Sequence, residues 1–281
     1  MKKYAVITMD VEDWYHTYFP EADVDRSISL LDVLDVALEI MKKENIKGSF
    51  FVVAEIAEML AKKIRAMDEA GHDIGCHNYQ HLRPVTMSLE DYRKQLIEAK
   101  EKIEEILGHE VIGYRAPSFG IDDDRLNVVR ECGFKYDSSK LKPQKSAKYG
   151  VLNLEGFQEI FPCIHNDGCF TEFEVSTQKI GDMNMLLGGG YIRMLPWFFM
   201  KYMTQKYLDT GKPYVMYIHP IDLSPKAMPK VKGITLDRYL RTHIGRENMV
   251  WRFKQVIEML KKNGYEFVTF AELLKLYPAD A

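Results

Sequence analysis

The sequence predicts an α/β protein, a mainly parallel sheet rolled into a barrel with helices outside. Three observations carry this. Short apolar runs alternate with segments of helical apolar spacing along most of the chain. About seven strand candidates in the 281 residues are enough to close a barrel. Charged groups or imidazoles stand just past five of those strands, where barrels of this kind carry their chemistry.

In chain order, Tyr4 to Met9 is a short apolar run fit for a buried strand. Leu30, Leu31, Leu34, Leu38 and Met41 then recur at helical spacing within 29–44. A strand over 48–53 and a helix over 54–70 come next, and Gly71-His72 turns the chain into a strand at 73–76. Ser88, with Asp91 three residues on, caps a helix running to Leu107-Gly108. Further strands are predicted at 111–114 and 134–136, around a helix at 123–132 that Gly133 ends. The stretch 140–190 is less regular, with strand candidates at 158–161 and 170–175, and it closes on Gly188-Gly189-Gly190. That triplet lacks the phosphate-loop pattern and reads as a tight turn or as backbone close to a ligand. Regular alternation resumes: helix 195–208, strand 214–218, helix 247–262, strand 266–269 and helix 271–276.

The hydrophobic share, 46%, and the charged share, 28%, are those of an ordinary globular chain and exclude disordered and collagen-like classes. A net charge of −3 argues against a nucleic-acid protein held by a basic field. No stretch approaches the ~20 apolar residues of a membrane span, and the apolar run that stops at Asp10 is too short for a signal peptide, so the expected location is cytoplasmic. The cysteines Cys76, Cys132, Cys163 and Cys169 form no C-x-x-C pair and are expected as free thiols.

The strand ends hold the candidate chemistry. Asp10, Glu12 and Asp13 follow the first strand, His77 and His81 the third, Arg115 the fourth, Asp137 the fifth, and His219 the strand at 214–218. The four-residue spacing of His77 and His81 puts both imidazoles on one side of a helical turn, able to share a metal. Two imidazoles and one carboxylate leave open positions on Zn²⁺ or a similar ion, as catalysis requires. Asp10 ends a buried strand and needs a cation or donors, or its pKa rises; a metal or Arg115 would satisfy it. The aromatics Trp14, Tyr15, Tyr18 and Phe19 sit beside these acids, where rings commonly stack on sugars.

The order of these motifs resembles the polysaccharide deacetylases of the NodB-homology type, carbohydrate esterase family 4. Thr8-Met9-Asp10-Val11-Glu12-Asp13, His77-Asn78-Tyr79-Gln80-His81 and Arg115-Ala116-Pro117-Ser118-Phe119-Gly120 look like the first three motifs. Tyr136-Asp137-Ser138-Ser139 is similar to a reduced fourth and Tyr217-Ile218-His219 to the fifth. The Asp-Val-Glu-Asp-Trp start, with Gly-Gly-Gly-Tyr-x-Arg-x-Leu-Pro and Ile-His-Pro, is similar to a subgroup found with surface-polysaccharide assembly. The resemblance implies one catalytic domain over 1–281, folded as a distorted (β/α)7-type, NodB-like barrel. It implies a hydrolase that removes N-acetyl groups from an amino sugar with one divalent metal, most simply zinc. The substrate would be an N-acetylated sugar, an oligosaccharide or a lipid-linked glycan.

By the same resemblance Asp10 is the general base, Arg115 orients it, His219 is the general acid, and His77 and His81 bind the metal. Val11 stands where the commonest first motif has its second aspartate, so the carboxylate ligand shifts to Glu12 or, as the alternative, Asp13. A backbone N–H near Ser118 or Phe119 would hold the oxyanion. The fourth motif lacks its usual aromatic, so the sugar groove would draw on Trp14 or Tyr191, with Ser118, Phe119 and Asp137 beside them.

Overall fold

The first strand, β1 (Lys3–Val11), is the axis of the sheet, and in the computed structural model it is buried along almost its whole length. The structure describes residues 2–19, 23–142 and 150–277. Further strands are β2 (Gly48–Val52), β3 (Asp73–Cys76), β4 (Gly113–Tyr114), β5 (Tyr136–Asp137), β6 (Gln158–Phe161), β7 (Ile164–Asn166) and β8 (Thr171–Phe173). They are followed by β9 (Thr177–Ile180), β10 (Met183–Leu186), β11 (Tyr214–Ile218) and β12 (Tyr265–Phe267).

Seven strands run parallel in the order β11-β1-β2-β3-β4-β5-β8, β12 pairs in parallel with the start of β1, and β7 and β6 extend the sheet antiparallel past β8. β9 and β10 form a separate hairpin. The predicted barrel is therefore a distorted, open one. Because the outer side of β8 is taken by β7, the gap to β11 is bridged by a side chain: Val215 N–H donates to Ser176 Oγ at 2.8 Å.

Strand parity decides what faces inward. Along β1, Ala5, Ile7, Met9 and Val11 join the large core under the surrounding helices, while Tyr4 and Val6 join an interior cluster with Phe51, Tyr136, Phe173 and Phe270. Thr8 and Asp10 continue the interior face. The same alternation turns Phe51 inward on β2, and Val215 on β11, so that the next inward residue past Tyr217 is His219. Gly113 leaves room for this filling, since a Cβ there would lie 2.1 Å from the Tyr136 hydroxyl. Phe270, first residue of the helix Phe270–Leu276, stacks on Phe173 at 4.7 Å between ring centroids within that cluster. The polar positions then fall at the strands' carboxyl ends.

The helix Leu89–Leu107 starts at Ser88, whose side chain accepts from Asp91 N–H, and stops at left-handed Gly108, as the capping pattern predicts. The helix expected over 54–70 is broken: a short 3-10 turn, Ala54–Ile56, precedes the helix Ala61–Glu69. No helix among the described residues is long and apolar enough to cross a membrane. All four cysteines are free.

Candidate active site

Asp10, Glu12, His77, His81, Arg115 and His219 converge at the carboxyl-end mouth of the barrel. Asp10 Oδ1 accepts from Arg115 Nη1 at 2.9 Å. Arg115 is fully buried: the same Nη1 donates to Thr8 Oγ1 at 2.6 Å, Nε and Nη2 donate to the Ser138 carbonyl and hydroxyl at 3.0 Å, and the guanidinium lies 4.3 Å from the Phe51 ring centroid. A buried guanidinium so fully paired fixes the carboxylate in one orientation.

Glu12, His77 and His81 form a buried group with one ligand atom from each within 4.8 Å of the others. Glu12 Oε1 accepts from Thr17 Oγ1 at 2.7 Å. Glu12 Oε2 accepts no hydrogen bond of good geometry from the described residues, although His81 Nε2 stands 2.5 Å away and His77 Nε2 3.9 Å away. His77 Nδ1–H donates to the Arg115 carbonyl at 2.7 Å, which leaves its Nε2 lone pair facing the cage. Burial pushes the His77 imidazole down to about 4, against the opposing charges of Asp10 and Glu12, so it is neutral near pH 7. Burial works against ionising Glu12, but the imidazoles of His81, His219 and His77 outweigh it and hold the carboxyl well below its ordinary range. An orphaned buried carboxylate oxygen facing two imidazole nitrogens fits a divalent metal.

The two imidazoles do not share a helical turn. Residues 77–83 are loop, with Asn78 at φ 63° and His81 at φ 58°, left-handed values that no α-helix accommodates. The cage is assembled by that kink instead. Ser118 and Phe119, at φ 53° and 56°, form a second strained turn at the mouth. Phe119 N–H donates to the Ala116 carbonyl at 2.9 Å, and Ser118 is half-buried.

His219 Nε2 lies 3.8 Å from Asp10 Oδ2 and 3.7 Å from Glu12 Oε1. Its Nδ1–H donates to Asp222 Oδ2 at 2.9 Å, and its backbone N–H reaches the same oxygen at 3.1 Å. Asp222 Oδ1 accepts from the buried Arg193 Nε at 2.8 Å. Burial opposes the charged imidazolium, but the hydrogen bond and charge of Asp222, with Glu12 and Asp10, push His219 up to about 9.

Two expected substrate contacts, Trp14 and Asp137, and the alternative metal ligand, Asp13, are displaced. Trp14 is buried in a small core with Tyr15, Phe19, Leu30 and Ile221, its Nε1–H bonded to the Ile28 carbonyl at 2.9 Å, and so it presents no face to a sugar. Asp137 has the wrong parity: Tyr136 faces the interior, so Asp137 turns to the opposite face beside its register partner Glu172. Its Oδ1 accepts from Ser139 Oγ at 2.7 Å. Asp13 is held as a cap: its side chain accepts the N–H groups of Trp14 and Leu30 at 2.8 and 3.0 Å, and it starts the helix Trp14–Tyr18. Gly188 and Gly189 press on the Tyr217 ring, where a Cβ would come within 2.4 and 2.6 Å, so the glycines serve packing against β11 rather than a ligand. Tyr191, just beyond them, is 40% exposed. Thr17, Asp222 and Arg193 are the supporting residues that the strand-end reading omits; the three-residue spacing from His219 to Asp222 and the Arg of the Gly-Gly-Gly-Tyr-x-Arg motif are signals in the sequence for the last two.

Comparison with known proteins places this geometry. Residues 23–136 match the family model for polysaccharide deacetylase, and residues 139–275 match a domain of unknown function (DUF3473). A peptidoglycan deacetylase of Helicobacter pylori is 26% identical over 140 residues, 48% of each chain, so the match spans about half of that relative's length. Among solved structures, a candidate polysaccharide deacetylase from Mycobacterium smegmatis superposes with a TM-score of 0.63 at 20% identity, over 99% of this chain and 91% of that one. A carbohydrate esterase family 4 pseudoenzyme from Bacillus anthracis gives 0.53 at 16% identity, over 97% of this chain and 66% of that one. The parallel barrel and the clustered strand-end motifs thus accompany a match to the polysaccharide deacetylase family model over residues 23–136.

Proposed function

We propose that the protein is a metal-dependent hydrolase that removes N-acetyl groups from an amino sugar in a polysaccharide or its precursor, releasing acetate. The observation that carries this reading is the Glu12–His77–His81 cage, set between Asp10 on Arg115 and His219 on Asp222. A pseudoenzyme shares the fold, so the residues at the mouth, not the barrel, support the activity. The named activity of the Helicobacter pylori relative agrees with an N-acetylated sugar polymer as substrate.

Glu12, His77 and His81 would hold a divalent ion, zinc by the donor set, which would supply Lewis acidity toward water and the acetyl carbonyl. The chain's own groups do the rest. Asp10, oriented by Arg115, takes a proton from the water that adds to the acetyl carbonyl. The Phe119 N–H is committed to Ala116, which leaves the Ser118 N–H as the backbone donor for the oxyanion. His219 gives its Nε2 proton to the amine nitrogen as the C–N bond breaks, and Asp222 holds the ring through Nδ1. The products are acetate and the free amino sugar. Tyr191 and Ser118 are the remaining sugar contacts, and a lipid-linked glycan is one form of substrate the open mouth would take.

The test is acetate release from a panel of N-acetylhexosamine oligosaccharides, lipid-linked glycans and O-acetyl sugars, with metal analysis of the same preparation. Release from an N-acetyl substrate, lost on chelation and restored by zinc, is the expected result. Release only from O-acetyl sugars, or none from metal-loaded protein that still binds glycan, overturns it.

A further inference from the structure

Between residues 225 and 245 the chain carries five basic residues, Lys226, Lys230, Lys232, Arg238 and Arg241, against the single acid Asp237, in a protein of net charge −3. Met228, Val231 and Ile234 pack this segment onto the cluster of Trp14, Tyr15, Phe19, Leu30 and Ile221, just past the metal-cage carboxylate. The helix Leu236–His243 follows, capped by Thr235. Leu236, Tyr239 and Leu240 stand at i, i+3 and i+4 on that helix, and with Ile244 they are 73%, 46%, 39% and 40% exposed. That is an inverted surface helix, with its apolar stripe facing water.

The helix also belongs to the rim of the site. Arg193, which holds Asp222 and through it His219, donates to the carbonyls of Arg241 and Ile244 at the helix's end. The Arg238 guanidinium lies 5.6 Å from the Phe19 ring centroid. Lys226 pairs with Asp32 and Arg241 with Asp237, while Lys230 and Lys232 form no ion pair with the described residues.

We propose that this face docks the protein on an anionic lipid surface: the Leu236–Ile244 stripe enters the interface, Lys230 and Lys232 meet lipid phosphates, and the catalytic mouth lies against the membrane plane. An outward apolar stripe with cationic flanks is the signature of an interfacial helix. A second copy of the chain suits the surface poorly, because an isologous contact would set the same basic residues against each other. The inference concerns binding and holds whatever bond the enzyme cleaves.

The test is co-sedimentation of the full chain with phosphatidylcholine vesicles, with and without phosphatidylglycerol, across a salt series. The expected result is binding to the anionic vesicles only, weakened by salt. Lys230→Glu/Lys232→Glu and, separately, Leu236→Ser/Tyr239→Ser/Leu240→Ser should each reduce that binding by about tenfold or more. Sedimentation analysis without lipid accompanies each sample. Absence of vesicle binding, undiminished binding by either variant, or a dimer that the serine variant abolishes while vesicles do not bind would overturn the proposal.

Discussion

Glu12 and Asp13 are adjacent acids with opposite duties, and burial alone does not separate them, since both are almost fully enclosed. Their partners do. Each leaves one oxygen without a hydrogen bond from the described residues, but Asp13 takes two backbone amides on its other oxygen, whereas the free oxygen of Glu12 faces two imidazoles. Glu12→Gln should therefore lose bound metal with little loss of fold, because the amide keeps the Thr17 contact. Asp13→Ala should keep the metal and lose about 0.5–2 kcal/mol of stability with its cap. Metal analysis beside denaturant melts reads both; equal metal loss would mean that the cage is not built as assigned. The buried pair Asp137 and Glu172 gives a second prediction. Burial lifts Asp137 to about 6, and burial with the Asp137 charge lifts Glu172 well above the carboxylate range. Above the unfolded value near ~4 the native state keeps protons that the unfolded chain releases, so this contribution to stability falls as pH rises through about 6. Glu172→Gln should make that decline shallower, read from urea midpoints at about pH 5 and about pH 8. An unchanged slope would mean that the two carboxyls do not share this burial cost.

At the scale of elements, His219 depends on the short helix Pro220–Leu223, where it is the N-cap and Asp222 closes a capping box with it. Asp222 serves the ring and backbone N–H groups of His219 on one oxygen and Arg193 on the other. An asparagine has a single acceptor oxygen and must turn an NH₂ toward one of those donors. Asp222→Asn should then loosen the imidazole and cut amide hydrolysis by about tenfold or more, within the range general acid catalysis contributes. An activated aryl acetate, whose leaving group needs little protonation, should lose much less. Equal losses on both substrates, with metal retained, would assign His219 an oxyanion or positioning role. The parallel strands, the capped helix Leu89–Leu107 and the strand-end acids and imidazoles were legible because apolar runs, capping residues and parity are local signals, whereas the short strands β7, β9 and β10 carry no such run and were not. The His77–His81 turn was not, since spacing alone cannot distinguish a helical turn from a kink whose left-handed residues are held by tertiary contacts. Trp14 read as a sugar platform for the same reason: the sequence places it beside the acids, and only packing shows that it faces away from the mouth.

At the scale of the whole molecule, the two family matches meet between residues 136 and 139, but the sheet does not divide there. β1 is paired by β11 over Ala5–Met9 and by β12 over Lys3–Ala5, both from the second segment. At the other side β5 pairs with β8, and Glu172 accepts the N–H groups of Ser139 and Lys140. The interior cluster likewise draws Tyr4, Phe51 and Tyr136 from one segment and Phe173, Val215 and Phe270 from the other. Asp10, the proposed general base, lies before that boundary, and His219, the proposed general acid, lies after it with its Asp222–Arg193 support. A fragment of residues 1–138 would expose both edges of β1's half of the sheet and leave Arg115, Asp10 and the aromatic interior only partly covered. It should fail to fold alone, giving a broad, non-cooperative urea transition and rapid proteolysis, whereas the intact chain melts cooperatively. The complementary fragment 139–281 should behave likewise, and mixing the two should restore protection if the sheet is the unit of folding. A fragment 1–138 that binds metal and melts cooperatively by itself would show instead that the boundary between the two matches is a true domain boundary, with the second segment added to a self-sufficient core.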